Sequence, residues 1–160
     1  FGSLTNAVNY KGFTLSAQLY YSFGNQVSDG WRSYYLGSGF GAGFNKVKRQ
    51  LDAWTTPGQV TDIPRYVYNG NKAFQNSSTF NLNDGGFVRV RDIQLGYNVP
   101  KAKLEKLKLG TANIYVTGTN LFTWVKDKNL PFDPEQGTGS TSNLNVFIPK
   151  TVTVGLSLTF

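Results

Sequence analysis

The strongest constraint on this chain is a period of two that, after Lys150 and again after Gly12, carries no charge on either phase. In Lys150–Phe160, KTVTVGLSLTF, the residues Val152, Val154, Leu156, Leu158 and Phe160 share one parity. Thr151, Thr153, Gly155, Ser157 and Thr159 share the other. Successive side chains of a strand point to opposite faces, so this segment reads as a strand, apolar on one side and small and polar on the other. Phe13–Phe23 repeats the pattern, with Phe13, Leu15, Ala17, Leu19, Tyr21 and Phe23 set against Thr14, Ser16, Gln18, Tyr20 and Ser22. A polar face turned to bulk water usually carries Lys, Glu or Arg. A strand with lipid on one side and a wet or plugged lumen on the other needs none of them.

Three further strands follow from the same alternation. Leu4, Val8 and Tyr10 share a parity interrupted by Asn6, and the tight Tyr10-Lys11-Gly12 turn joins them to the Phe13 strand as a hairpin. In FVRVRDIQLGYNV, Val88 and Val90 take one parity and Ile93, Leu95, Tyr97 and Val99 the other. One extra residue in a β-bulge at Arg91-Asp92 would restore a single apolar face. Pro100 stops that strand and can start one helical turn. Ala112, Ile114 and Val116 then share a side until the phase slips near Gly118, the place for a second bulge.

The strands predicted are about 3–10, 13–24, 87–99, 111–122 and 150–160, with long connections at about 25–85 and 125–149. A structureless loop of that length counts against a compact soluble domain. Alternating short and long connections instead belong to an outer-membrane barrel, with short periplasmic turns and long extracellular loops. Strands of roughly 9–11 residues span a bilayer when tilted. Tyr10, Phe13, Phe23, Phe87, Tyr97, Phe122, Trp124 and Phe160 sit near strand ends like interfacial girdles. The fold class expected is therefore all-β, built of antiparallel transmembrane β-barrel strands. Five strands cannot close a barrel, for which about eight is the small end, so either these pair with strands outside the sequence or the count is short by three, and the first is favoured. A chain opening FGSLTN, without Met or leader, reads as a piece of something longer or as a processed product.

Little in the chain suggests catalysis. It contains no Cys, Met or His, which excludes disulfides, thiolate metal sites and imidazole chemistry. Asp133 and Glu135 lack the oxygen spacing of an EF-hand and read as a solvated turn. No catalytic residue, metal or cofactor is expected. The net charge of +7 is scattered, clustering only at Lys46–Arg49 and Lys101–Lys108, and no nucleic-acid motif accompanies it, so a nucleic-acid partner is not expected. Candidate contacts to ligand or partner are the loop aromatics Trp31, Tyr34, Tyr35, Trp54, Tyr66 and Tyr68, which can stack on sugar rings or peptide side chains. Asn45–Trp54 reads as a short helix with Val47, Leu51 and Trp54 on one face. Arg89, Arg91 and Asp92 are charges inside a predicted span, where such groups face the lumen and pair.

Three stretches, in order, resemble one family. FVRVRDIQLGYNVPKAKLEKLKL, ANIYVTGTNLFTW and PKTVTVGLSLTF are similar to the late barrel strands of SusC/RagA TonB-linked outer-membrane transporters. LTNAVNYKGFTLSAQLYYSFGN and LDAWTTPGQVTDIPRY resemble the preceding hairpin and outer loop, so the likeness covers essentially the whole chain. It implies the C-terminal part of a barrel of 22 strands around an N-terminal plug, the plug and most of the barrel lying outside this sequence. It also implies an outer-membrane location, contact with lipid and lipopolysaccharide, a SusD-type surface lipoprotein as lid, TonB acting through the plug, and oligosaccharide or peptide as cargo. Val152, Val154, Leu156, Leu158 and Phe160 then resemble the strand that closes the barrel and is taken up by the assembly machinery. Two other readings are a small complete barrel acting as adhesin or anchor, and a soluble carbohydrate-binding β-sandwich. Strand count argues against the first and the uncharged polar face against the second.

Overall fold

Two residues between strands set the first register. Lys11 and Gly12 both have positive φ, 46° and 87°, the primed turn whose twist matches the strands it joins. The computed structural model describes residues 1–39, 43–70, 78–135, 141–142 and 146–160. Their strands are β1 (Gly2–Tyr10), β2 (Phe13–Ser22), β3 (Gln26–Asp29), β4 (Leu82–Asp84), β5 (Phe87–Asn98), β6 (Thr111–Val125), β7 (Thr141–Ser142) and β8 (Thr151–Thr159). Two single helical turns, α1 (Arg32–Tyr35) and α2 (Lys101–Leu104), join them, the second directly after Pro100.

The chain divides into two units. The first is an antiparallel sheet in the order β1-β2-β5-β6-β8. Its register carries one apolar row after another across the sheet: Tyr10, Phe13, Tyr97, Ile114 and Leu156, then Val8, Leu15, Leu95, Val116 and Val154. The second of these rows is open from edge to edge, with Val8 57%, Leu15 47%, Leu95 51%, Val116 42% and Val154 71% exposed. An apolar patch running across five strands is far larger than a water-soluble monomer presents, whereas in hydrocarbon it costs nothing.

Keeping this face continuous takes two register irregularities. Gln18 pairs with Asp92 and Leu19 with Val90, so Arg91 is an extra residue on β5. Against β6 the pairing passes from Val90–Phe122 to Asp92–Thr119, leaving Asn120 and Leu121 opposite Arg91. Asn120 takes φ 55°, a left-handed conformation that Asn tolerates better than most residues. The second slip read near Gly118 thus lies two residues on. Gly118 is where Leu121 folds back: a Cβ there would lie 2.4 Å from Leu121 Cδ1. One member of the supposed girdle moves. Phe87 pairs with Ser22 and Val125 on the opposite face and is buried, because its parity precedes the bulge and differs from that of Val88.

The long connections are not structureless. Residues 26–84 and 130–146 form the second unit, with a three-stranded sheet in the order β4-β3-β7. β3 runs antiparallel to β4 and parallel to β7. Leu36, Ala53 and Ile63 form its core, with Tyr35 and Phe80 packed against them. The helix expected over Asn45–Trp54 is instead a short 3-10 turn, Lys48–Asp52. Leu51 there is 82% exposed, so the spacing of Val47, Leu51 and Trp54 buries no helical face.

Candidate functional site

The five-stranded wall has a polar face opposite the apolar one, and its charges lie there. Thr14, Ser16 and Gln18 of β2 meet Gly96, Gln94 and Asp92 of β5, and Asp92, Gln94 and Gly96 meet Thr119, Thr117 and Tyr115 of β6. Tyr115 leans over Gly155, where a Cβ would sit 2.1 Å from its ring. Arg89 is buried; its Nε donates to Thr123 Oγ1 at 3.0 Å and its guanidinium lies 5.4 Å from the Phe87 ring. Thr119 Oγ1 donates to Asp92 at 3.0 Å. Arg91 places its guanidinium 5.0 Å from the Tyr20 ring. These partners stand on the charges' own and neighbouring strands, on the side away from the apolar face.

In the second unit, α1 brings an aromatic cluster together. The Trp31 and Tyr34 rings are 5.1 Å apart, and Phe44 meets Tyr34 edge-on at 5.2 Å. Lys46 joins them, donating to the Tyr34 carbonyl and standing 6.0 Å from the Tyr66 ring centroid. Partial loss of solvent lowers the pKa of this ammonium. The cluster offers ring faces with a cation beside them, a surface that can stack on planar or cyclic groups and attract an anionic one.

Asp29 sets the cluster's backbone. Its carboxylate accepts the Trp31 N–H at 3.0 Å and the Tyr35 hydroxyl, so α1 starts at a fixed place. Burial raises its pKa, against the Trp31 N–H and the Arg32 charge, which pull it down. Arg32 in turn donates to Asn83 Oδ1 at 2.9 Å and stacks 4.6 Å over Phe80. A cleft of about 450 Å³ is lined by Arg32, Asp62, Ser78, Thr79, Phe80 and Leu82.

Of the six loop aromatics singled out in the sequence, the structure joins Trp31, Tyr34 and Tyr66. Tyr35 turns inward to Asp29 and the core. Trp54 is half-buried, its backbone N–H bonded to the Ile63 carbonyl at 3.0 Å, and Tyr68 is exposed. Sequence reasoning missed Phe44 and met Lys46 only as part of a charge cluster, without joining it to the aromatics. It also missed Asp29, though an Asp two residues before an aromatic run is a recognisable turn signal. Asp133 is buried rather than solvated and accepts the Glu135 N–H at 3.0 Å. Among the described residues no group of acids could hold a metal ion. Val152, Val154, Leu156 and Leu158 line the outer apolar face of β8, and Phe160 lies just beyond its last residue.

No family model matches the chain. TonB-dependent receptor P26 of Formosa agariphila is 31% identical over 169 residues, covering 97% of this chain and 16% of that receptor. TonB-dependent receptor P3 of the same organism is 28% identical over 166 residues, with coverage of 97% and 16%. Among solved structures, the RagAB peptide importer in its open-open state matches with a TM-score of 0.83 at 28% identity, over 99% of this chain and 17% of that one. Its closed-closed state gives 0.82 with the same coverage. The chain therefore spans about a sixth of the length of these relatives.

Proposed function

We propose that this chain is a SusC/RagA-type segment of an outer-membrane β-barrel, which supplies wall strands and surface loops to a TonB-dependent importer. The observation that carries this reading is the uncharged apolar face that stays open across all five strands, in a chain that matches a peptide importer at a TM-score of 0.83. Lipid covers that face, and the polar face with Arg89, Arg91 and Asp92 turns to the lumen. The outer edge of β8 pairs with the barrel's first strand, since an open edge in lipid leaves backbone groups unpaired at several kcal/mol each. Val152, Val154, Leu156, Leu158 and Phe160 then form the lipid side of the closing seam.

The second unit faces the cell exterior, where Trp31, Tyr34 and Tyr66 meet cargo or the SusD-type lipoprotein that closes over the barrel. Cargo is a peptide or an oligosaccharide, with peptide favoured by the importer the sheet resembles. TonB acts through the plug, and the role of this chain is transport rather than catalysis.

The test is uptake of labelled oligopeptides and oligosaccharides by cells that carry the full-length protein. Uptake of one class should vanish when the gene or TonB is deleted. It should fall several-fold when Trp31, Tyr34 and Tyr66 are replaced together by Ala, with the protein still present in the membrane. Uptake that survives either deletion would overturn the reading.

A further inference from the structure

The short-turn end of the wall carries a lysine cluster that the transport reading does not use. We propose that this rim binds the phosphates of anionic glycerophospholipids in the periplasmic leaflet. The proposal rests on the outer-membrane wall reading and deepens it.

Lys11 occupies the β1–β2 turn, and Lys101, Lys103, Lys106 and Lys108 follow Pro100 in the β5–β6 turn. All five are exposed. The two turns share one end of the sheet, because Phe13 pairs with Tyr97 and the Asn98 N–H donates to the Gly12 carbonyl at 2.8 Å. Glu105 is the acid among them, so the rim is strongly positive. Its position relative to the bilayer follows from the neighbouring rings. Tyr10, Phe13 and Tyr97 form one row on the apolar face, at the level where aromatic belts meet headgroups. The lysines begin one to four residues beyond that row, and Lys11 keeps its ammonium 5.2 Å from the Tyr10 ring.

Which side of the wall the second turn covers is settled by Ala112. This residue shares the apolar parity of Ile114 and pairs with Leu158, which are 48% and 41% exposed, yet Ala112 is only 7% exposed. α2 packs against β6, and its Leu104 is buried at 3%. The turn therefore folds over the lipid-facing side of β6, anchored by Leu104, and carries its lysines at headgroup depth rather than into the lumen. Lysine stems can lie along apolar surface there while the ammonium reaches a phosphate. A cation beside an anionic membrane surface gains roughly a fivefold preference, the equivalent of the usual attraction per lysine.

The experiment uses the full-length transporter, folded in detergent and delipidated, with phosphatidylglycerol or phosphatidylethanolamine added back. Bound lipid is counted by native mass spectrometry. The native protein should retain phosphatidylglycerol over phosphatidylethanolamine. Replacing Lys101, Lys103, Lys106 and Lys108 together by Gln should weaken phosphatidylglycerol binding about fivefold or more and leave phosphatidylethanolamine unchanged. Salt near 1 M, where screening acts within about 3 Å, should weaken it likewise. Equal retention in native and variant proteins would overturn the proposal. So would a loss confined to the K126Q/K128Q/K150Q variant, which changes lysines at the opposite end of the wall. A full-length protein that does not fold into detergent micelles at all would instead sink the wall reading.

Discussion

The reading of the two faces stands or falls on one pair of neighbouring residues, Ile93 and Gln94. Ile93 lies between Ala17 and Gly118 on the apolar face, and Gln94 between Ser16 and Thr117 on the polar one. Phe13 and Tyr97, with rings 4.6 Å apart, mark one aromatic row, and Tyr21, with its ring 6.1 Å from Phe23, marks the other. From Phe13 to Tyr21 the strand advances about 26 Å at the usual rise. Tilted by about 40°, that becomes about 20 Å of membrane depth, close to the apolar band of outer-membrane barrels. The Ala17–Ile93 pair lies halfway, about 10 Å from either row, so an arginine there is as deep as the wall allows. At such a depth its cost on the lipid side is about 2–4 kcal/mol, roughly a 30- to 700-fold shift in the folding equilibrium. Ile93→Arg should shift the folding equilibrium of the full-length protein by that amount in denaturant titrations scored by protease resistance in vesicles. Gln94→Arg, one residue away and facing the wet side, should cost well under 1 kcal/mol. Equal losses for both variants, or no loss for Ile93→Arg, would refute the assignment of lipid to the apolar face.

Two further outcomes follow from the register and the loop unit. Deleting Arg91 removes the extra residue of β5 and turns either Val88 and Val90 or Ile93, Leu95 and Tyr97 to the wrong face, so no folded protein should reach the outer membrane, whereas Arg91→Ala should assemble. Assembly of the deletion at native levels would show that the bulge does not set the parity. For Asp29, burial raises the folded pKa above the ordinary 3.8, so the folded unit holds its proton more tightly than the unfolded chain. Its contribution to stability is complete below that ordinary value and is lost as the pH rises through the raised one. Amide exchange at Trp31 should quicken over that rise in the native protein, and Asp29→Asn should flatten the dependence.

How much of this was legible in the sequence depends on what sorts the side chains. In the wall, strand parity and the solvent on each side do the sorting, and both are written along the chain. The apolar residues of β2 and β8 could be read without knowing any tertiary contact, and the parity change at Arg91-Asp92 marks the bulge. The second unit offers no such signal. β3, β4 and β7, at QVSD, LND and TS, are too short to show a period, and they form a sheet only because segments distant in sequence meet. Phe44 and Lys46 join Trp31 and Tyr34 for the same reason, and the Val47, Leu51 and Trp54 spacing misled because nothing among the described residues of the unit covers Leu51.

Parity also explains why the two slips lie side by side. Arg91 alone would turn the later half of β5 against both neighbours, but β2 has no extra residue to match it, and β6 has Asn120 and Leu121. On the β2 side the bulge is absorbed between Gln18 and Leu19. On the β6 side the additional residue, the left-handed Asn120 and the Leu121 side chain folded across Gly118 take up the difference. The apolar face thereby passes from Val90 and Phe122 to Ile93 and Gly118 without a gap, and the one charged bulge residue, Arg91, is delivered to Tyr20 on the wet side. Arginine at a lipid-facing site would carry the cost calculated for Ile93, so the bulge does two things at once: it restores the apolar phase and removes the charge from it.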